Sequence, residues 1–250
     1  MIADRERGIA AFDTSLTAWN SPFGGAQSGG DWCEAFALSE HVTALTIGDV
    51  SGHGETVALQ MAAMRAAVLR AIREIRIPSD VLAAINHIAC SYGDGDGLIA
   101  TAIVAIIDRR FGTLAFANAG HPPPLVLTAG GHAFLHQPPA DLPLGVFSNY
   151  VGADYVIALP VDALVVFYTD GVTEHRRDPV RGEADLIAAS NAVHGLPELN
   201  AARAIARRVF RTSRGSDDAA TLAVRTLPVT GRHVVGARPT AVPTAAAWGR

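Results

Sequence analysis

The 250-residue chain contains no lysine, so every one of its 20 Lys+Arg residues is an arginine. That absence excludes a Walker-type phosphate loop, a lysine Schiff base and the strand lysine of protein kinases, each of which needs an amine at a defined place. Cysteine is scarce. Cys33 and Cys90 stand far apart and in no metal-ligand spacing, which excludes a disulfide scaffold and fits a reducing cytoplasm. The longest apolar run, Ile99 to Ile107, is too short to cross a bilayer, so no membrane partner is expected. Met1 to Arg7 mixes charges and has no apolar core, so it does not read as a signal peptide. Basic residues gather only between Arg203 and Arg214 and the net charge is −4, so no nucleic-acid partner is expected either. Charged residues make up only 18% against 49% apolar, the composition of a globular chain able to bury one large core.

What is present is organised around Ile47-Gly48-Asp49-Val50-Ser51-Gly52-His53-Gly54. An apolar run from Val42 reaches a carboxylate and then a glycine turn, where the backbone can approach a ligand closely. Trp32–Leu38 and Val42–Val50 flank the short polar turn Ser39-Glu40-His41 and predict an antiparallel hairpin. From Glu55 to Ile75, Val57, Met61, Met64, Val68, Ile72 and Ile75 recur at helical spacing, with Met61 and Met64 read as core. Pro78-Ser79-Asp80 opens a second helix with Ser79 as its N-cap, running to about Tyr92.

A first strand is expected over Gly8–Leu16, before a loop from Ser21 to Gly30. Further strands are expected at 99–107, 113–119, 124–128, 132–136, 155–159, 163–168 and 219–226, and helices at 184–193 and 196–212. Strands grouped with strands and helices with helices predict an α+β fold, not an alternating parallel sheet. Pro228 to Arg250 has no periodicity and is expected to be a mobile tail.

Four acids share one setting. Asp31 follows Gly29-Gly30, Asp49 and Asp170 end apolar runs, and Asp217 follows Gly215-Ser216 just before the last strand. A carboxylate at a buried strand end is costly unless something positive meets it. No arginine lies within a few residues of Asp49 or just upstream of Asp170, so a divalent cation is the economical partner. Ligands that are all oxygen suit Mg²⁺ or Mn²⁺ better than zinc. Any one of these acids could instead be a turn former or helix cap. Four of them beside glycines are harder to explain that way.

Seven motifs occur in order: Gly29-Gly30-Asp31-Trp32, Gly48 to Gly54, Ala100-Thr101-Ala102, Asn118-Ala119-Gly120-His121-Pro122-Pro123-Pro124, Pro143-Leu144-Gly145, Tyr168 to Glu174 and Ser216 to Thr221. Together, over about residues 8–227, they resemble the SpoIIE branch of the metal-dependent PPM serine/threonine phosphatases, bacterial relatives of protein phosphatase 2C. The resemblance implies a four-layer α-β-β-α sandwich, two antiparallel sheets flanked by helix pairs, as one domain over 1–227. It also implies two Mn²⁺ or Mg²⁺ ions at one edge. Asp49 would bridge them, the Val50 carbonyl would bind one, Asp170 and Asp217 would complete the coordination of the second ion, and Asp31 would act directly or through water. Two cations roughly 3.5–4 Å apart can share a water and lower its pKa, supplying hydroxide for in-line attack on phosphorus. Neither cysteine is then needed as a nucleophile.

The implied substrate is a phosphorylated partner-switching protein of the anti-sigma-factor-antagonist type, with an activating protein expected on helices 55–92. His53 is a weaker candidate for proton transfer and could equally hydrogen-bond the backbone of its turn. Asn118 and His121 are either site neighbours or a rigid Pro-rich corner, Asp218 a second acid behind the metals, and Asp94 and Asp96 solvated loop residues. Two departures stand out: Pro22 to Gly30 lacks the phosphate-binding arginine of the eukaryotic branch, and Cys33-Glu34 replaces an aromatic and an Asp. A non-catalytic binding module and a hydrolase of small phosphate esters remain the alternatives.

Overall fold

The computed structural model describes residues 12–22, 29–92, 97–139, 141–175, 177–196, 200–211 and 217–229. Among these residues ten strands, numbered along the chain, form two five-stranded sheets in which every pair is antiparallel. In one sheet β2 (Asp31–Ala37), β3 (Val42–Val50), β4 (Ala100–Asp108), β5 (Thr113–Ala119) and β8 (Tyr155–Ala158) lie in that order. In the other the order is β1 (Asp13–Ser21), β10 (Ala219–Leu227), β9 (Leu164–Tyr168), β6 (Leu125–Leu127), β7 (Ala133–Leu135).

The alternation of strand side chains divides the apolar residues among three cores. Along β4, Ile103, Ala105 and Ile107 face the second sheet, meeting Val165 and Phe167 of β9 and Leu222 and Val224 of β10. The intervening Ala102, Val104 and Ile106 face the other way, against Met64, Val68, Ile72, Leu82 and Ile85. Those belong to α1 (Glu55–Glu74) and α2 (Pro78–Cys90). The second sheet is covered likewise by α4 (Pro179–His194) and α5 (Ala201–Val209), where Leu186, Val193 and Ile205 pack on Leu164, Val166 and Ala223. A strand buried on both faces has no polar face to show, which is why β4 reads as an unbroken apolar run. The expected four layers are present.

Several boundaries differ from the sequence reading. The first strand runs to Ser21, because β1 pairs along its whole length with β10, from Asp13↔Leu227 to Ser21↔Ala219; its expected start at 8–11 lies outside the described residues. Ser79 is not the N-cap of α2. Ile77 holds that position without a side-chain bond, and Asp154 reaches in from a distant loop, accepting from Ser79 N (2.9 Å) and Ser79 Oγ (2.7 Å). A carboxylate supplied from outside satisfies the same orphan amide that a cap would. Helix α4 begins at Pro179, five residues earlier than expected, capped by Asp178, which accepts from Arg181 N at 3.2 Å. A four-residue helix, α3 (Asp170–Thr173), follows β9 directly, so Asp170 opens a helix and Thr169 sits between it and the strand. Asp94, Asp96, Ser216 and the tail from 230 fall outside the described residues.

Candidate metal centre

Hairpin register brings the first two acids together. Asp31 of β2 lies opposite Asp49 of β3, and on the other side Asp49 faces Thr101 of β4. The second sheet delivers its acids to the same edge, Asp170 after the end of β9 and Asp217 and Asp218 before the start of β10. Hydrogen bonds between described residues tie the sheets there. Thr169 Oγ1 donates to Asp31 Oδ2 (2.7 Å) while accepting from Ala220 N (2.8 Å), and Gly30 N donates to Asp218 Oδ2 (2.7 Å). Asp31 is buried, Asp49 half-buried, and Asp170 and Asp217 lie exposed at the rim.

Gly30 is where the absence of a side chain matters. A Cβ there would stand 2.6 Å from the Val50 carbonyl oxygen and 2.9 Å from Asp49 Oδ1. Two of the expected ligand oxygens therefore face one small space that any other residue would fill. Gly29 is equally constrained, since its Cβ would meet the Asp218 carboxylate oxygens at 1.9 and 2.4 Å. The motif Gly29-Gly30-Asp31 thus makes room for acids brought by two other strands.

The electrostatics call for a cation. The Asp31 carboxyl is pushed up to about 9, by burial first and by Asp49 next, against the opposing hydrogen bond from Thr169. Asp49 is pushed up to about 7 by burial, then by Asp170 and Asp217, and is partly relieved by a hydrogen bond with Asp31. Asp170 is raised by burial, then by Glu174 and Asp217. Among the described residues none of Asp31, Asp49, Asp170 and Asp217 has an ion pair with an Arg or His. As the side chains stand, no three His, Cys, Asp or Glu among the described residues converge to hold a metal ion. The fit instead rests on an oxygen-only donor set, on mutual repulsion, and on the space over Gly30, and these suit Mg²⁺ or Mn²⁺.

The remaining candidates separate. Asn118 closes the Pro-rich corner, its Nδ2 donating to His121 O (2.8 Å) and its Oδ1 accepting from His121 N (2.7 Å). His121 is buried, its pKa lowered to about 3 by desolvation, and its Nδ1 lies 2.8 Å from Thr101 Oγ1, the residue opposite Asp49. It stands behind the acids, not among them. His53 is exposed and makes no hydrogen bond to a described residue, so the backbone bond expected of it is not formed. Glu34 forms an ion pair with Arg65 of α1, which gives it a packing role. Met61 and Met64 lie in the core under α1. Cys33 and Cys90 are free and only half-buried, and burial pushes the Cys33 thiol up to about 12.

Two residues escaped the sequence reading. Thr169 links Asp31 to β10 across 138 positions of chain, which no local signal reveals. Arg177 lines an open cleft of about 380 Å³ together with Asp170, Gly171, Glu174, Pro179 and Asp217. It lies downstream of Asp170, beyond the stretch in which a charge partner for that acid is expected.

Two facing antiparallel sheets with helix pairs outside and carboxylates at one shared edge define the architecture of the PP2C-type phosphatases. The profile of the family described as Stage II sporulation protein E (SpoIIE) matches residues 39–227, and the chain belongs to that family. Among characterised relatives, Protein IcfG of Synechocystis sp. is 28% identical over 193 residues, covering 64% of this chain and 30% of that protein. Phosphoserine phosphatase RsbP of Bacillus subtilis is 28% identical over 149 residues, covering 58% of this chain and 36% of RsbP. The chain thus spans about a third of the length of these two relatives. Among solved structures, the RsbU and RsbW domains of Rv1364c from Mycobacterium tuberculosis superpose with a TM-score of 0.78 at 25% identity, over 89% of this chain and 62% of that one. RsbX, solved in complex with magnesium, superposes at 0.66 with 15% identity over 85% of this chain and 95% of that one, a likeness of fold alone. Among the described residues no helix is long and apolar enough to cross a membrane.

Proposed function

We propose that the chain is a divalent-metal-dependent phosphatase acting on phosphoserine or phosphothreonine in a protein. The observation that supports this is the pairing of Asp31 with Asp49 at one sheet edge, with Asp49 Oδ1 and the Val50 carbonyl bordering a space that only glycine at position 30 leaves open, while the second sheet brings Asp170 and Asp217 to the same edge. Asp49 and the Val50 carbonyl would hold one ion beside Asp31, with Asp170 and Asp217 holding a second toward the rim. Bound divalent ions supply an activated water and neutralise charge on the phosphoryl oxygens.

The chain's own residues do the rest. Thr169 fixes the Asp31 carboxyl through its hydroxyl, and Gly30 N holds Asp218 behind the pair. Cys33 stays a neutral thiol near pH 7 and offers no nucleophile, which favours water as the attacking group. The family and the named activity of RsbP support a phosphoserine substrate, and the pairing of RsbU and RsbW domains in a relative supports a partner-switching protein of the anti-sigma-factor-antagonist type. An activating protein on α1 and α2 would meet an exposed Leu59 (64%) and Ile88 (43%) on a helix pair whose first member, α1, starts directly after the Asp49 turn. If variants on that exposed face changed neither partner response nor metal affinity, this assignment would fail.

Phosphate release should be compared, with Mn²⁺ or Mg²⁺ present, from a folded phosphoprotein, a phosphoserine peptide and free nucleotides. The proposal expects turnover of the protein or peptide to exceed that of nucleotides. Faster nucleotide hydrolysis would point to a small-ester hydrolase, and metal binding without turnover to a binding module.

A further inference from the structure

Arg177 is the only basic residue among the described residues lining the cleft beside Asp170 and Asp217. Its backbone is held at φ 58, a left-handed conformation unusual for a long side chain. Hydrogen bonds of described residues flank it on both sides. Arg177 N donates to Glu174 O (2.7 Å), Asp178 caps α4 by accepting from Arg181 N, and Gly182 N donates to Asp178 O (2.9 Å). Helices α3 and α4 pack so closely behind it that a Cβ on Gly182 would stand 1.6 Å from Thr173 O. Yet the guanidinium carries no ion pair with a described residue, although Asp170, Glu174 and Asp217 line the same cleft. A left-handed residue that presents at a site a cation with no ion pair to a described residue invites a functional reading.

We infer that Arg177 is a specificity-determining residue that binds the phosphoryl group of the substrate. This rests on the phosphatase reading and goes beyond it, because the stretch where the eukaryotic branch keeps its phosphate arginine has none here. A phosphate dianion entering this cleft is repelled by every carboxylate that lines it. A guanidinium offers two parallel N–H donors to two phosphoryl oxygens, a geometry that a lysine amine does not reproduce.

The test compares Arg177→Gly, Arg177→Lys and Arg181→Ala with the wild-type chain. Glycine accepts φ 58 without strain, so the first variant removes the guanidinium and keeps the turn. Arg181 is an exposed arginine outside the cleft lining and serves as control. Binding of inorganic phosphate to the Mg²⁺-loaded protein is read by calorimetry, beside KM for a phosphoserine peptide and the half-saturating Mn²⁺ concentration. Arg177→Gly should weaken phosphate binding and raise KM on the order of 10–100-fold, the worth of a charge-assisted hydrogen bond or two. Arg177→Lys should recover part of the loss, and Arg181→Ala should match wild type. The half-saturating Mn²⁺ of Arg177→Gly should hold or fall, because removing a cation beside a cation site cannot weaken it electrostatically. Unchanged phosphate affinity and KM in Arg177→Gly, with wild type active, would overturn the inference and leave the phosphatase reading standing. So would a rise in half-saturating Mn²⁺, the mark of a structural role. A wild-type chain with no metal-dependent turnover and no phosphate binding would overturn the phosphatase reading itself.

Discussion

Replacing Gly30 with alanine is the sharpest perturbation of the proposed centre. The added Cβ would lie 2.6 Å from the Val50 carbonyl oxygen, 2.9 Å from Asp49 Oδ1 and 3.3 Å from Val57 Cγ1. The first contact is short of an ordinary carbon–oxygen approach by roughly 0.7–1.0 Å. The carbonyl has little freedom to retreat, since Val50 N donates to Gly30 O at 3.1 Å and Val50 is paired with Ala100 of β4. The displacement therefore falls on the two oxygens proposed to hold the ion. A misplacement of about 1 Å at a reacting centre costs on the order of 10²-fold in rate. The same overpacking costs the fold about 1–3 kcal/mol, within the usual 5–15 kcal/mol of a domain.

Gly30→Ala should accordingly retain a cooperative melt while its half-saturating Mn²⁺ rises and its turnover falls about 100-fold. Gly48→Ala is the contrasting case. Its Cβ would strike the fully buried Trp32 ring at 2.2 Å and Thr101 O at 2.5 Å, so it should lose the melt as well. Unaltered Mn²⁺ requirement and turnover in Gly30→Ala would refute the reasoning.

Other consequences follow from the same contacts. With Asp31 raised to about 9 and Asp49 to about 7 from 3.8, the native chain binds more protons than the unfolded one across that window. Metal-free stability should therefore fall as pH rises through 7 and 9, and saturating Mn²⁺ should abolish the fall; a flat melting temperature in EDTA from pH 5 to 9 would contradict this. His121 has the opposite sign: its pKa drops from 6.5 to about 3, so stability should be lost as pH falls through that range, and His121→Gln should flatten this acid limb of a melting profile. Thr169→Val leaves Ala220 N and Asp31 without their shared hydroxyl and should lower stability by about 1–3 kcal/mol in chemical denaturation, with Thr169→Ser restoring most of it.

Much of the fold was legible because its signals are local. Strand β3 reads correctly from Val42 to Val50 because an apolar run ends at a glycine turn, and α1 because five buried residues recur at helical spacing. The start of α4 was equally legible, since Asp178-Pro179 is an N-cap followed by proline in the first turn, but the later apolar run drew the boundary inward. Other features depended on contacts that chain order hides. Asp154 meets Ser79 across 75 positions, and Thr169 reads as a spacer until the two facing sheets bring the ends of β9 and β2 together. The acids themselves were found from their glycine neighbours. Arg177 was not, because its conformation and its place in the cleft are set by the packing of α3 on α4.

The central claim is that the acids meeting at Asp49 make a metal-dependent phosphatase. Phosphate release from a phosphoserine substrate by the wild-type chain with Mn²⁺, by the same chain in EDTA, and by Asp49→Asn with Mn²⁺ tests it most directly. The account predicts turnover in the first case and its loss in the other two, with Asp49→Asn still folded. Turnover that survives both EDTA and the Asp49 substitution would contradict it.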